Sequence, residues 1–105
     1  VNIPSISDKD KKTYLGIKEN GRKVIIAGNG GSASIASHVT VDFTKAAGMR
    51  AVNFNEADLV TCFANDYGYE NWVEEALKAH SSNNDLLILI TSSGKSQNII
   101  NAAKY

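Results

Sequence analysis

Three short runs that are wholly or mostly apolar alternate with segments of helical pattern along this chain. The runs lie at residues 24–27, 51–54 and 86–90, and the last of them, LLILI, is the clearest. Continuous apolar runs of this length are typical of strands in a parallel sheet, because helices cover both faces of such a sheet. The alternation predicts an α/β fold, namely a three-layer αβα sandwich with a parallel sheet and right-handed crossovers.

Five helices are predicted around these strands. The first is a lead-in helix that ends before Gly21. The second begins at Ser32, a favourable N-cap residue. Its apolar stripe consists of Ile35, Val39 and Phe43. Because Asn, Asp and Gly favour turns, the segment NDYGY is predicted to separate the third helix from the fourth. The predicted helices span about residues 7–20, 32–47, 56–64, 70–80 and 97–105, with the turn at 65–69.

The chain is interpreted as a single domain of 105 residues. Residues 1–21 form a helical lead-in and residues 22–105 form the sheet core. Tyr105 falls within the last predicted helix, and no C-cap residue precedes it. We therefore expect the sheet core to be the N-terminal part of a longer protein, with the C-terminal part of the domain missing.

The composition excludes several classes of partner. The chain is 43% hydrophobic and 21% charged, and 11 basic residues balance 11 acidic ones, so neither nucleic acid nor an anionic membrane surface is expected as a partner. No apolar run approaches the ~20 residues of a membrane span, and no signal peptide is visible. The single cysteine, Cys62, fits a reducing cytoplasm, and its apolar surroundings in the sequence predict a buried, inert thiol.

Two loops that directly follow predicted strands carry most of the candidate chemistry. The first loop, residues 28–31, has the sequence GNGG, and the second loop, residues 91–96, offers four hydroxyl groups and one glycine. Both should lie at the carboxyl ends of parallel strands, where sheets of this class bind ligands. Each loop also leads into a helix N-terminus, whose free N–H groups favour anions. The loops together predict a phosphate site.

A histidine and a carboxylate follow on the second predicted helix. His38 and Asp42 are four residues apart, so they lie on one helical face. Such a pair is more often a surface ion pair than a catalytic one. It can also supply a general base, or two of the three protein ligands that a catalytic zinc normally takes. Both interpretations remain open from the residues alone.

Two familiar nucleotide motifs are matched only in part. Residues 28–33 satisfy G-x-G-x-x-A, but a dinucleotide site needs an acidic residue ~20 positions later, where Asn53 and Asn55 stand. The segment 94–96 reads GKS like the end of a Walker A loop, but Leu89 occupies the place of its first glycine. No nucleotide cofactor is therefore expected.

Four motifs occur together in one order: GNGGSAS, the His38–Asp42 pair, FANDYGYE and TSSGKSQNII. In this combination the chain resembles the SIS (sugar isomerase) domain, and within it the phosphoheptose isomerases, over residues 23–105. The resemblance implies a flavodoxin-like or Rossmann-like doubly wound sheet. It implies aldose–ketose isomerisation between sedoheptulose 7-phosphate and a heptose 7-phosphate, on the way to lipopolysaccharide heptose. It also implies a homotetramer with sites at subunit interfaces.

The resemblance further implies roles for individual residues. His38 and Asp42 match a helix pair that binds zinc in some members and whose carboxylate is the proposed base. The family usually has Glu at the position of Asp42, so this carboxylate starts about 1.5 Å shorter. In the family, a Gln and a His from a helix beyond Tyr105 supply further metal ligands and the general acid. The implied sugar-phosphate contacts are Asn29, Gly30 and Gly31 in the first loop, Asn65 and Asp66 in the turn, and Thr91, Ser92, Ser93 and Ser96 in the second loop.

Two other functions are compatible with the sequence. A non-catalytic SIS module would bind a sugar phosphate or a protein partner, and the shorter Asp42 together with the absent acid favours it. A dinucleotide-binding domain is the weaker alternative. The segment NDYGYE favours the isomerase, because it resembles the heptose isomerases more than the regulatory members of the superfamily.

Overall fold

The computed structural model describes residues 8–105, and these form a three-stranded parallel sheet between two layers of helices. The predicted α/β sandwich with a parallel sheet is therefore confirmed. Residues 1–7 of the predicted lead-in lie outside the described residues, and these include the predicted start of the first helix at residue 7. In chain order the elements are α1 (Asp8–Glu19), β1 (Lys23–Gly28), α2 (Gly31–Lys45), β2 (Arg50–Asn53), α3 (Ala57–Tyr67), a 3₁₀ turn (Tyr69–Asn71), α4 (Trp72–His80), β3 (Leu86–Ile90) and α5 (Gln97–Lys104).

β1 is the centre of the sheet, because the strand order is β2-β1-β3. Its side chains alternate between two apolar clusters, as the two-residue period of a strand requires. Val24 and Ile26 pack in one cluster, with residues of α1 and α2. Ile25 and Ala27 pack in the other, with residues of α3, α4 and α5. Because helices cover both faces, all four of these side chains are buried.

β3 forms as predicted, but it is only half-buried along its length. Its residues alternate between the two clusters, with Leu87 and Leu89 on one face and Leu86, Ile88 and Ile90 on the other. Within residues 8–105, β3 pairs with β1 on one side and forms an edge of the sheet on the other. The expectation of a strand buried like β1 is therefore wrong for the described part of the chain.

The predicted apolar stripe of α2 is confirmed at Val39 and Phe43 and is wrong at Ile35. Ala36 is fully buried against the sheet, and Val39 and Phe43 pack beside it. Ile35, expected to lead the stripe, is 54% exposed. Because neighbouring residues lie about 100° apart around a helix, Ile35 points toward the surface when Ala36 faces the sheet.

The predicted turn at residues 65–69 begins later than expected, because α3 continues through Tyr67. Phe63 and Tyr67 form an edge-to-face ring contact at 5.4 Å, a stabilising pair at helical i,i+4 spacing. Contacts of this kind outweigh the local turn preference of Asn and Asp. The chain leaves the helix only at Gly68, whose φ of 90° is accessible mainly to glycine.

An ion pair joins β1 to the loop before β3, at the amino ends of the strands. Lys23 Nζ lies 2.6 Å from the Asp85 carboxylate, whose side chain is only 6% exposed. Asp85 also accepts hydrogen bonds from the backbone N–H groups of Ser82 (2.7 Å) and Lys23 (3.3 Å). Burial tends to raise the pKa of Asp85, but the hydrogen bonds and charge of Lys23 and the Ser82 N–H outweigh it and hold the pKa below its usual value.

No helix within residues 8–105 is long and apolar enough to span a bilayer.

Candidate functional site at the strand carboxyl ends

The chain reverses its winding direction between β1 and β3. After β1 it crosses through α2 to β2 on one side, and it then returns through α3 and α4 to β3 on the other side. Ligands of doubly wound sheets bind at such a switch point, outside the carboxyl ends of the strands. Gly28 and Ile90 are register partners there, so the first and second loops leave the sheet side by side. The prediction that both loops lie together at the carboxyl ends of the strands is confirmed.

The first loop forms the N-terminus of α2 without a side-chain cap. Gly30 occupies the N-cap position with a φ of 54°, and α2 begins at Gly31. Ser32, predicted as the N-cap, is already inside the helix, where its N–H donates to the Asn29 carbonyl at 2.9 Å. Because no side chain caps this end, the N–H of Gly31 is available to an anion, whereas those of Ser32 and Ala33 already donate to the Asn29 carbonyl.

The second loop is exposed and shaped by its own hydroxyl groups. Thr91 Oγ1 accepts a hydrogen bond from the Gly94 N–H at 3.0 Å, and Ser93 Oγ accepts one from the Lys95 N–H at 3.1 Å. A hydroxyl that accepts such a bond still has its own hydrogen to donate. Ser96 is the N-cap residue of α5, and its side chain makes no capping hydrogen bond. The hydroxyl groups can therefore donate to an oxygen-rich anion.

A cleft of about 460 Å³ lies where the first loop, the 3₁₀ turn and the start of α5 meet. Side-chain amides and hydroxyls connect its walls. Asn29 and Asn98 exchange two hydrogen bonds, and the Tyr69 hydroxyl donates to Asn29 Oδ1 at 3.3 Å. The residues that line this cleft are Asn29, Tyr69, Glu70, Ser96, Gln97 and Asn98.

Sequence reasoning did not identify Tyr69 or Asn98 as site residues. Asn98 is 2% exposed, which is unusual for an amide side chain. Its position in the chain, two residues after Ser96 on the inner face of α5, was the available signal. Its partner Asn29 lies 69 residues away, so only the folded chain identifies the pair.

Two predicted substrate contacts, Asn65 and Asp66, lie on the exposed last turn of α3. Asp66 Oδ1 accepts a hydrogen bond from Asn65 at 3.1 Å, and Asp66 Oδ2 lies 3.6 Å from the Cys62 sulfur. It is Tyr69, from the same segment, that reaches the first loop. The predicted contact of Asn65 and Asp66 with a ligand stays a prediction.

Cys62 is exposed, so the expectation of a buried thiol is wrong. It sits among apolar residues in the sequence but on the outer face of α3, whose inner face carries Leu59, Val60 and Phe63. The negative charge of neighbouring Asp66, followed by the hydrogen bond to it, raises the pKa of the Cys62 thiol. The thiol is thus accessible but disfavoured as a nucleophile.

His38 and Asp42 form the predicted pair on α2, with 3.5 Å between His38 Nε2 and Asp42 Oδ2. Their side chains are 79% and 61% exposed. His38 also borders an open cleft shared with Ser34, Ser37 and Asn55. Within residues 8–105 the pair is open to solvent, so a substrate held there needs a further covering surface.

The described residues do not complete a zinc site. A catalytic zinc normally takes three protein ligands, and His38 and Asp42 supply two. No group of three or more His, Cys, Asp or Glu side chains that could hold a metal occurs among residues 8–105.

Asn53 and Asn55 fix the backbone beside the first loop. Asn53 Nδ2 donates to the Ile26 carbonyl at 2.7 Å, and Asn55 Nδ2 donates to the Gly28 carbonyl at 3.2 Å. Asn53 Oδ1 in turn accepts from the Asn55 N–H at 2.9 Å. These amides stand where a dinucleotide site would have a carboxylate for the ribose, and here they bind strand carbonyls.

The switch point, the two loops and their helix N-termini are those of α/β domains of the class that binds ligands at the carboxyl edge of the sheet. Residues 12–105 match the family model of the SIS domain, and the chain therefore belongs to the SIS domain family.

Curated relatives of the chain are phosphoheptose isomerases. That of Aliarcobacter butzleri is 35% identical over 103 residues, which is 92% of this chain and 54% of that protein. That of Helicobacter pylori (strain HPAG1) is 40% identical over 90 residues, which is 80% of this chain and 47% of that protein. The chain thus spans about half the length of the curated relatives it matches.

Solved structures agree with these relatives. A phosphoheptose isomerase from Neisseria gonorrhoeae superposes with a TM-score of 0.83 at 31% identity, over 91% of this chain and 52% of that one. A phosphoheptose isomerase from Francisella tularensis gives a TM-score of 0.82 at 29% identity, over 91% and 53% of the two chains.

Proposed function

We propose that this chain is the sugar-phosphate-binding part of a phosphosugar isomerase that interconverts a heptose phosphate between its aldose and ketose forms. The observation that carries the proposal is the pairing of Gly28 with Ile90, which places two anion-favouring loops side by side at the switch point of an SIS domain. The relatives named phosphoheptose isomerase supply the substrate class.

In the proposed site, the phosphate binds to the two loops. The N–H groups of Gly30 and Gly31, at the N-terminus of α2, lie at the same edge of the sheet as the hydroxyls of the second loop. Helix N-termini favour negative charge, and hydrogen bonds to a charged phosphate contribute about 1.5–3 kcal/mol each. The proposed donors of the second loop are Thr91, Ser92, Ser93 and Ser96, and Asn29 contributes from the first loop.

The proposed proton transfer uses the pair on α2. The Asp42 carboxylate removes the proton from the sugar carbon beside the carbonyl, an enediolate forms, and the proton returns to the former carbonyl carbon. A proton also passes between the two oxygens, and the developing oxyanion needs a hydrogen-bond donor. His38, whose Nε2 lies 3.5 Å from Asp42 Oδ2, is close enough to the proposed base to act on the same sugar.

We also propose that the site lies between subunits of a homotetramer in the cytoplasm. The face of α2 that carries His38 and Asp42 also carries two exposed apolar side chains, Ile35 at 54% and Val41 at 58%. Burial of such side chains between subunits would exclude water from the pair. The free thiol of Cys62 fits a reducing compartment. A monomeric mass in solution would contradict the proposed assembly.

We propose that a zinc ion held by His38 and Asp42 takes its remaining ligands from outside residues 8–105. Zinc there would polarise the sugar carbonyl as a Lewis acid. Metal analysis of the full-length protein tests this. His38→Ala and Asp42→Ala should each lower the zinc content, whereas a metal-free parent protein that is active would contradict it.

The isomerase proposal is tested by incubating the full-length protein with sedoheptulose 7-phosphate in deuterium oxide. NMR should detect deuterium at the carbon next to the carbonyl for the parent and none above background for Asp42→Asn. Asp58→Asn removes a carboxylate from the exposed first turn of α3 and serves as the control, so it should exchange like the parent. Unchanged exchange by Asp42→Asn would contradict the assigned base, and no exchange by the parent would contradict the function.

A further inference from the structure

The side-chain amides of Asn29 and Asn98 face each other as a reciprocal pair. Asn29 Nδ2 donates to Asn98 Oδ1 at 2.8 Å, and Asn98 Nδ2 donates to Asn29 Oδ1 at 3.0 Å. Both distances are typical of well-formed hydrogen bonds. The pair bridges 69 residues of sequence and joins the first loop to α5.

The two members of this pair differ in exposure. Asn98 is 2% exposed, while Asn29 is half-buried and borders the cleft between the loops. A buried amide without a partner is costly, so Asn98 strongly favours a position of Asn29 that satisfies it. The Tyr69 hydroxyl adds a third bond, to Asn29 Oδ1. The Asn29 side chain is therefore held from two sides.

The backbone of Asn29 continues this constraint into α2. Its carbonyl accepts hydrogen bonds from the N–H groups of Ser32 at 2.9 Å and Ala33 at 3.2 Å, which are the first bonds of the helix. On the other side, Asn98 lies in the first turn of α5, directly after Ser96 and Gln97. The pair thus connects the N-terminus of one anion-favouring helix to that of the other.

We propose that Asn98 is a positioning residue that holds the first loop against α5, so that the two loops bind one phosphorylated sugar as a single rigid cradle. This role rests on the proposed function of the site. Asn98 acts through Asn29 and needs no contact with the sugar. One amide hydrogen of Asn29 donates to Asn98. Asn29 can therefore contact the ligand through its backbone and its second amide hydrogen.

Asn101 provides a matched control on the same helix. It is also an amide with a side chain that bonds across to another segment, donating to the Glu70 carbonyl at 2.8 Å and to Asn71 Oδ1 at 3.2 Å. It anchors the 3₁₀ turn, whereas Asn98 anchors the first loop. Loss of Asn98 removes a bond to the first loop directly, whereas loss of Asn101 can reach that loop only through the 3₁₀ turn and Tyr69, so its effect there should be much smaller.

The test compares Asn98→Asp and Asn101→Asp in the full-length protein. Asp has nearly the size of Asn but carries an oxygen where Asn has its NH₂ donor. In Asn98→Asp this oxygen and Asn29 Oδ1 are both acceptors and face each other without a hydrogen between them. Without ligand, hydrogen exchange of residues 29–33 should rise at least about tenfold in Asn98→Asp and much less in Asn101→Asp. Affinity for sedoheptulose 7-phosphate and for inorganic phosphate should fall roughly tenfold in Asn98→Asp and clearly less in Asn101→Asp.

Each result decides a separate claim. Parent-like exchange in the first loop of Asn98→Asp would overturn the proposal, and so would faster exchange with unchanged phosphate affinity. A parent that binds phosphate but not sedoheptulose 7-phosphate would contradict the proposed function, while the exchange and phosphate measurements still decide the role of Asn98. If Asn98→Asp does not fold, Asn98→Ser carries the same two measurements.

Discussion

Gly28 lies so close to Ser32 that a β-carbon at position 28 would come within 2.7 Å of the Ser32 carbonyl carbon and oxygen. The Ile90 carbonyl oxygen would lie 3.0 Å from the same β-carbon. The end of β1, the start of α2 and the end of β3 therefore contact one another through backbone atoms, with no side chain between them. This close approach is what brings the two loops to one place.

Gly28→Ala should destabilise the protein by about 1–3 kcal/mol, because backbone must shift to admit the methyl group. Gly16→Ala is the matched control, since a β-carbon there meets nothing within 4 Å and the residue lies inside α1. Replacing a helical glycine by alanine should stabilise by about 0.5–1 kcal/mol. Urea unfolding of both variants measures the difference, and equal stabilities would contradict the close approach.

The ion pair between Lys23 and Asp85 predicts a loss of stability in acid. Because the pKa of Asp85 is lowered in the folded protein, its contribution is present above the unfolded pKa of about 3.9 and is lost as the pH falls through the folded value. At pH 7, Asp85→Asn should cost about 3 kcal/mol, since it leaves the Lys23 charge without its partner.

Glu75→Gln is the control for this ion pair, because the partner of Glu75, Lys78, is exposed. Its denaturation midpoint should stay near that of the parent. The comparison is made by urea unfolding at pH 7 and again at a pH well below the unfolded pKa of about 3.9, where Asp85 is protonated in the folded protein as well. The parent and Asp85→Asn should converge at the lower pH, and a constant difference between them would contradict the assignment.

The thiol of Cys62 should react slowly for an exposed cysteine. The Asp66 charge raises its pKa, so less thiolate is present at pH 8 than for a free thiol. Asp66→Asn should increase the rate of alkylation by iodoacetamide several-fold, while Glu74→Gln, which removes a carboxylate from α4, should leave it unchanged. Equal rates for the parent and Asp66→Asn would show that Asp66 does not control the thiol.

The apolar runs were sufficient to predict the sheet. β1 is buried on both faces, so its sequence at residues 24–27 is continuously apolar and does not alternate between apolar and polar residues. They did not reveal the strand order, so they could not show that β3 is an edge within residues 8–105. The shift from Ile35 to Ala36 on α2 escaped prediction for a related reason. Helical spacing gives the direction of a stripe only to within one residue, and only the packed structure shows that Ala36 and not Ile35 faces the sheet.

The loops of the candidate site could be predicted from the sequence, but the long-range hydrogen bonds that join them could not. Glycine and hydroxyl content marked the first and second loops directly. The Asn29–Asn98 pair was not accessible, because it depends on a long-range contact that no local pattern encodes. Asn65 was assigned to a turn by its composition, but the ring contact of Phe63 with Tyr67 extends the helix past it.

The central claim is that the first and second loops bind one phosphorylated sugar. Isothermal titration of the full-length protein with sedoheptulose 7-phosphate tests it most directly, with the parent beside the double variant Ser92→Ala/Ser96→Ala. Loss of two donors to a charged phosphate should weaken binding by roughly 1.5–3 kcal/mol for each hydroxyl. Ser82→Ala, at the opposite edge of the sheet, should bind like the parent. Parent-like affinity of the double variant would contradict the claim.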